Sequence, residues 1–141
     1  MILGGVTIPW SKGLLGHSDA DVLLHALCDA VLGAVGEGDI GTYFPDNDPQ
    51  WKGAESRIFV RKASELAASR GLAISNVDLV LLAEAPKLAP YRAAIQTYIA
   101  ELLKVGRDQV NLKAKTMEKL GPIGAEEAMA AYATVLLRPT A

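Results

Sequence analysis

The chain contains only two histidines, and both fall in one nine-residue stretch, HSDADVLLH, as His17 and His25. Imidazole changes charge near neutral pH and is the commonest protein ligand for metals. At 100° per residue, Asp21, His25 and Asp29 form an i, i+4, i+8 row on a helix. The row lies roughly opposite an apolar stripe of Leu23, Ala26, Leu27, Ala30, Val31 and Ala34, with Leu24, Cys28 and Leu32 around it. Two readings stand. His25 ligates a metal while a carboxylate one turn away orients its second nitrogen, or it is hydrogen-bonded to Asp21 or Asp29 for structure alone. Zinc usually takes three protein ligands in a catalytic site, and this row shows one imidazole.

His17 and Ser18 immediately precede that helix. Free N–H groups and the positive end of the helix dipole favour phosphate there, with ordinary capping by Ser18 as the alternative. A second polar cluster is KAKTMEKLG, with Lys113, Lys115, Thr116, Glu118 and Lys119 around a strand end. Lysines and a threonine can hold phosphates, and Glu118 can hold the Mg²⁺ or Mn²⁺ that accompanies them. A solvated edge is the competing reading. Two look-alike motifs are rejected. GEGDIG has the letters of a dinucleotide fingerprint but follows a helix and opens a loop, the reverse of the required context. The Asp46–Asn47–Asp48 run starts like a calcium loop, but Gln50 and Trp51 stand at later ligand positions.

These groups need a scaffold. Residues 1–8 are apolar and end at Pro9, as an opening strand would. The helical pattern runs over 20–35, with Ser18 or Asp19 as cap and Ser18 with Asp21 as a loose capping box. Residues 36–53 hold four glycines and two prolines and read as a long irregular loop, of a length that in a compact domain is either functional or disordered. A helix over 54–69 is stopped by Gly71. Val77 to Ala83 is a buried strand closed by Pro86. Pro90 opens a third helix with a stripe of Tyr91, Ala94, Ile95, Tyr98, Ile99 and Leu102. Residues 110–115 alternate as a half-covered strand. Residues 128–138 mix helix and strand signals, and the Thr-Val-Leu-Leu run tips them to strand. The fold class is therefore α/β, an α+β sandwich whose mixed sheet is covered on one face by helices.

The 141 residues suit one domain, 1–141. Half are hydrophobic, the formal net charge is −2 and the pI is about 5.6. That balance offers no basic surface for nucleic acid and no apolar run that spans a membrane. The single cysteine, Cys28, suits a reducing compartment, and a soluble intracellular domain is expected.

Six stretches, LGGVTIP, HSDADVLLHALCDA, GDIGTYFPDNDP, WKGAESR, NVDLVLLAEAPKLAP and NLKAKTMEKLG, together resemble the 2-C-methyl-D-erythritol 2,4-cyclodiphosphate synthase family of the non-mevalonate isoprenoid pathway. The resemblance covers nearly the whole chain. It implies a homotrimer with active sites between subunits, acting on a small-molecule substrate in the bacterial cytoplasm or a plastid. The reaction would be that of a phosphorus–oxygen lyase. The 2-phosphate of 4-diphosphocytidyl-2-C-methylerythritol 2-phosphate attacks the β-phosphorus, releasing CMP and closing a cyclic diphosphate.

By the same resemblance, His25 would ligate Zn²⁺, and His17 and Ser18 would bind phosphate. His17 and Thr116 would stabilise the transition state. Asp39, Ile40 and Gly41, with Phe44, Pro45, Asp46, Asn47 and Asp48, would hold the methylerythritol. Ala83, Pro86, Lys87, Leu88 and Ala89 would form the cytidine pocket. Lys115, Thr116, Met117 and Glu118 would bind the diphosphate, with Glu118 reaching Mg²⁺ or Mn²⁺. Two departures are expected to matter. The family's Asp-x-His pair ahead of the first strand has no counterpart here, so the alternative is an inactive trimer that binds cytidine nucleotide or isoprenoid. Pro122 and Ala125 stand where the family often has an aromatic residue and an arginine, with Lys115 and Lys119 nearby to compensate.

Overall fold

The computed structural model describes residues 1–140, so only position 141 of the expected domain lies outside the described residues. The apolar opening is a hairpin rather than one strand. Ile2–Leu3 (β1) pairs antiparallel with Val6–Thr7 (β2). Gly4 and Gly5 both take positive φ, 57° and 80°, which a two-residue hairpin turn requires. A Cβ on Gly5 would also collide with the Tyr98 ring.

Helix α1, Val22–Ala34, buries Leu23, Leu24, Leu27, Cys28, Val31 and Leu32. Its apolar face is thus wider than the expected stripe, and Ala34 is exposed. The reason is position: α1 lies between the last strand and the next long helix, and a helix covered on more than one side is apolar around most of its circumference. Its cap also differs from expectation. Asp21, not Ser18 or Asp19, is the N-cap, accepting from Leu24 N at 3.1 Å. The 36–53 loop carries two short turns, α2 at Ile40–Tyr43 and a 3₁₀ turn at Pro49–Trp51. Helix α3 spans Arg57–Ser69 and buries Phe59, Val60, Ala63 and Ala67. Gly71, at φ 69°, ends it as expected.

The sheet has three strands in the order β4-β3-β5: Val110–Lys115 (β4), Leu72–Leu82 (β3) and Ala130–Pro139 (β5). β3 runs parallel to β4 and antiparallel to β5, so the sheet is mixed, as the pattern predicts. β3 starts five residues earlier than the apolar run from Val77 suggests. A register shift between Ile74 and Asn76 lets both Ile74 and Val77 point inward, and a bulge of this kind breaks the period-two signal. Helix α4, Arg92–Leu103, follows a 3₁₀ turn at Ala89–Tyr91 and buries Ile95, Ile99, Ala100 and Leu103. A single turn, α5 at Gly121–Gly124, precedes β5.

Val77, Leu79 and Leu81 of β3, with Val110 and Leu112 of β4, form one core with α1, α3 and α4. The opposite sheet face is open. It carries Asp78, Asn111 and Lys113, with Asp78 accepting from Asn111 Nδ2 at 2.9 Å and Lys113 Nζ at 2.7 Å. Those bonds hold the Asp78 carboxyl below its ordinary pKa. Tyr132 and Leu136 project from the same sheet, 66 % and 61 % exposed.

Asp21 joins hairpin to helix. Its carboxylate, 0 % exposed, accepts from Gly4 N at 2.9 Å and Gly5 N at 2.7 Å as well as from Leu24 N. Asp21→Ala would strand buried donors and remove the cap, at a cost of about 3 kcal/mol read by denaturant unfolding. Burial raises the Asp21 pKa from 3.8 to about 6. Between those values the folded chain binds a proton that the unfolded chain does not, so this contribution to stability falls as pH rises through the window. Asp21→Asn should flatten that slope; an unchanged slope would assign it to other groups.

Candidate active site

The HSD segment is held by the long loop and the start of α3. His17 Nε2 lies 3.0 Å from the carbonyl oxygen of Asp48, and the His17 carbonyl accepts from Gly53 N at 2.7 Å. Asp19 N donates to the Ala54 carbonyl at 3.0 Å. The Asp19 carboxylate accepts from Ser56 N at 3.0 Å, from Ser56 Oγ, and from Asp21 N at 3.2 Å. His17, Ser18 and Asp48 are half-buried, whereas Asp46 and Asn47 are exposed. Thus one end of the predicted methylerythritol loop lies against the predicted phosphate residue.

Asp39, Ile40 and Gly41 open α2. Asp39 caps it, accepting from Thr42 N at 3.1 Å and Thr42 Oγ1 at 3.0 Å. Ile40 N donates to Asp29 Oδ1 at 2.7 Å. The expected carboxylate–histidine row therefore has another purpose. Asp21 is turned to the hairpin and Asp29 to α2, and His25 Nε2 instead lies 3.0 Å from Ser18 Oγ. Asp21, the extended N-cap just outside α1, and Asp29, one turn beyond His25 within it, serve connections on either side of the imidazole. The imidazole also rests near Phe59, which stacks with Phe44 at 4.4 Å between centroids. Trp51 meets Phe44 edge-on at 5.0 Å. This aromatic group, which the sequence reading did not single out, anchors the loop onto α3.

Zinc needs several converging donors. Among the described residues no three His, Cys, Asp or Glu side chains converge to hold a metal, and the His25 nitrogen faces a hydroxyl. These residues do not by themselves compose a zinc site.

The second cluster lies where parallel strands β3 and β4 end, the edge at which open α/β sheets place ligands. Ala83 N donates to the Lys115 carbonyl at 3.0 Å, and Met117 N to Glu84 Oε2 at 3.2 Å. The predicted cytidine and diphosphate segments are therefore neighbours. Leu88 and Pro86 are buried and anchor their segment, while Lys87 and Ala89 face out. Lys115, Thr116, Met117 and Glu118 are all exposed. Glu118 and Lys119 take positive φ, 52° and 64°, a strained backbone for residues with side chains and one that clusters at binding loops. Gly124 fits against the Lys119 backbone, where a Cβ would collide. Among the described residues no hydrogen bond joins this cluster to His17, Ser18 or His25.

Comparison with known proteins places the chain. A model of the YgbB family matches residues 1–138. The chain belongs to the YgbB family. It is 53 % identical over 138 residues to the 2-C-methyl-D-erythritol 2,4-cyclodiphosphate synthase of Thermosynechococcus vestitus, covering 98 % of this chain and 86 % of that protein. It is 56 % identical to the bifunctional enzyme IspD/IspF of Albidiferax ferrireducens, of which it spans 33 %. Among solved structures it superposes on the bifunctional IspDF of Campylobacter jejuni with a TM-score of 0.95 and 42 % identity, covering 99 % of this chain and 38 % of that one. A 2C-methyl-D-erythritol-2,4-cyclodiphosphate synthase in its CDP-bound form gives a TM-score of 0.90 at 42 % identity, with 98 % and 89 % covered. The chain thus spans most of the single-activity relatives and about a third of the bifunctional ones.

Within this family member the imidazole beside Ser18 has a distinct titration. Burial lowers the His25 pKa below 6.5, outweighing Asp19 and Asp29, which raise it. Of the two histidine resonances in an NMR titration, the one lost in His25→Gln should have its midpoint below 6.5. The neutral ring is favoured in the fold, so stability should drop as pH falls through the unfolded value. A midpoint above 6.5 would mean that the carboxylates outweigh burial.

Proposed function

We propose that the chain converts 4-diphosphocytidyl-2-C-methyl-D-erythritol 2-phosphate to 2-C-methyl-D-erythritol 2,4-cyclodiphosphate with release of CMP. The observation that carries this reading is the 53 % identity to a synthase over almost the entire chain. The exposed Lys115–Glu118 segment beside Ala83–Ala89 supports it. A 2-phosphate oxygen attacks the β-phosphorus, the bond from that phosphorus to the bridging oxygen breaks, and the electron pair leaves on the phosphate of CMP. The nucleophile is already anionic, so the protein's task is to fold the substrate and offset crowded negative charge.

His17 and Ser18 would bind the phosphate being closed, and Lys115 and Thr116 the diphosphate. Asp39 to Gly41 and Phe44 to Asp48 would enclose the methylerythritol, and Lys87 would face the cytidylyl phosphate. A Mg²⁺ or Mn²⁺ ion brought with the diphosphate would offset its charge, and the exposed Glu118 carboxylate is suited to hold it. No step is assigned to zinc.

A homotrimer is part of the same proposal. No hydrogen bond joins the two clusters within one chain among the described residues, and the open sheet face presents Tyr132 and Leu136, large apolar groups that a second copy would cover. Sedimentation should return roughly three times the 14.9 kDa of one chain; a monomeric mass would remove the shared site.

Incubated with substrate and Mg²⁺, the chain should yield CMP and cyclic diphosphate in equal amounts, whereas release of free phosphate would indicate a hydrolase. Glu118→Gln should lower kcat/KM about a hundredfold and abolish the response to added Mg²⁺; an intact Mg²⁺ response would remove Glu118 from the site. Zinc bound after dialysis should be well below one per chain, since the His25 imidazole faces the Ser18 hydroxyl and no three ligating side chains converge among the described residues. A full equivalent would show that the chain's own residues suffice.

A further inference from the structure

Two parts of the candidate site, the His17–Ser18 segment and the loop up to Trp51, come from separate stretches of chain, and something must fix one against the other. The first turn of α3 does both. Ser56 and Phe59 stand three residues apart, on one helix face. Phe59 stacks with Phe44 and meets Trp51 at 6.0 Å, so it seats the loop. Ser56 seats the HSD segment through the Asp19 carboxylate, by way of its N–H at 3.0 Å and its hydroxyl.

Ser56 is 0 % exposed. It stands at the N-cap position of α3 yet makes no side-chain cap bond, and its backbone is helical, with φ −62° and ψ −17°. Serine is favoured at that position for capping, and here its hydroxyl is given to Asp19 instead. The bonds from Gly53 N to His17 O and from Asp19 N to Ala54 O lie alongside. A register thereby runs from residue 17 to 19 on one side and from 53 to 56 on the other. Asp19 in turn accepts from Asp21 N, which ties this register to the start of α1.

We propose that Asp19 and Ser56 form a positioning pair that sets the register between the phosphate-binding His17–Ser18 segment and the substrate loop ending at Trp51. Neither residue touches the reacting atoms. The pair acts by holding His17 against Asp48 and the loop against α3, so that the loop is formed before substrate arrives and less ordering is needed on binding. The catalytic part of this inference rests on the proposed synthase activity.

The chain has two tryptophans, Trp10 and Trp51, so a Trp10→Phe background leaves Trp51 as the sole reporter of the loop. Its Nε1 is buried with no partner among the described residues, and opening the loop would admit water to it. In that background Ser56→Ala and Asp19→Asn should each raise acrylamide quenching about threefold and shift emission to the red, with unchanged far-UV circular dichroism. Each should lower kcat/KM for CMP release about tenfold, mainly through KM, and the double variant should be no worse than the poorer single one. Ala63→Gly, a helix-weakening change in α3 away from the pair, should lower the melting temperature without moving either readout. Quenching that stays at the parent value, or that rises equally in Ala63→Gly, would overturn the proposal, as would losses that multiply in the double variant. A parent chain that releases no CMP would overturn the proposed activity, while the quenching result would still decide the register.

Discussion

The buried carboxylate of Asp21 is the constraint on which the rest of the structure depends. A charged group with no exposed surface must find donors, and three backbone N–H groups supply them, two from the hairpin turn and one from the first turn of α1. This fixes where α1 begins and docks the hairpin on its start. α1 then runs between β5 and α3 with its apolar circumference covered. His25 is placed by the same act, one turn past the cap, where its backbone N–H donates to the Asp21 carbonyl at 2.9 Å.

The polar residues of the HSD stretch divide the labour. Asp21 reaches toward the hairpin, Asp19 toward α3, and His17 toward the loop at Asp48, while Ser18 turns to His25. Four neighbouring side chains with four directions are possible because the backbone here is not yet helical; Ala20, for example, has φ 58°. The segment works as a junction. Its density of polar groups follows from the number of elements that meet there as much as from any reaction.

The second cluster follows a different logic. Parallel pairing of β3 and β4 brings two strand ends to one edge, and both connections leave from it. Leu88, in the core, anchors one connection and leaves Lys87 in solvent. The other leaves the sheet with Lys115 and turns at Glu118 and Lys119, which take positive φ and are both exposed. Rigid strands with exposed basic and acidic ends suit the binding of a charged, metal-accompanied phosphate group, since the scaffold is ordered before the ligand arrives.

Much of this was legible in the residues. Alternation marked β4 at its observed ends, apolar spacing placed the three long helices, and the Thr-Val-Leu-Leu run made β5 a strand. Six motifs in order pointed to the family. The remainder depended on contacts between distant positions. The opening strand folded into a hairpin, a bulge hid the first half of β3, and the cap of α1 moved from Ser18 or Asp19 to Asp21 because the hairpin offered that carboxylate further donors. Of the expected row Asp21, His25 and Asp29, only His25 and Asp29 lie within α1; Asp21 is its extended cap, and both carboxylates serve other partners. Spacing along a helix fixes which side chains are neighbours. It does not fix where each points, because that is decided by whichever unpaired N–H group another part of the chain brings within reach. The sequence by itself determined the elements, the candidate residues and the family; only the tertiary structure decided how the polar groups pair, since burial makes each of them seek a partner that local spacing does not contain.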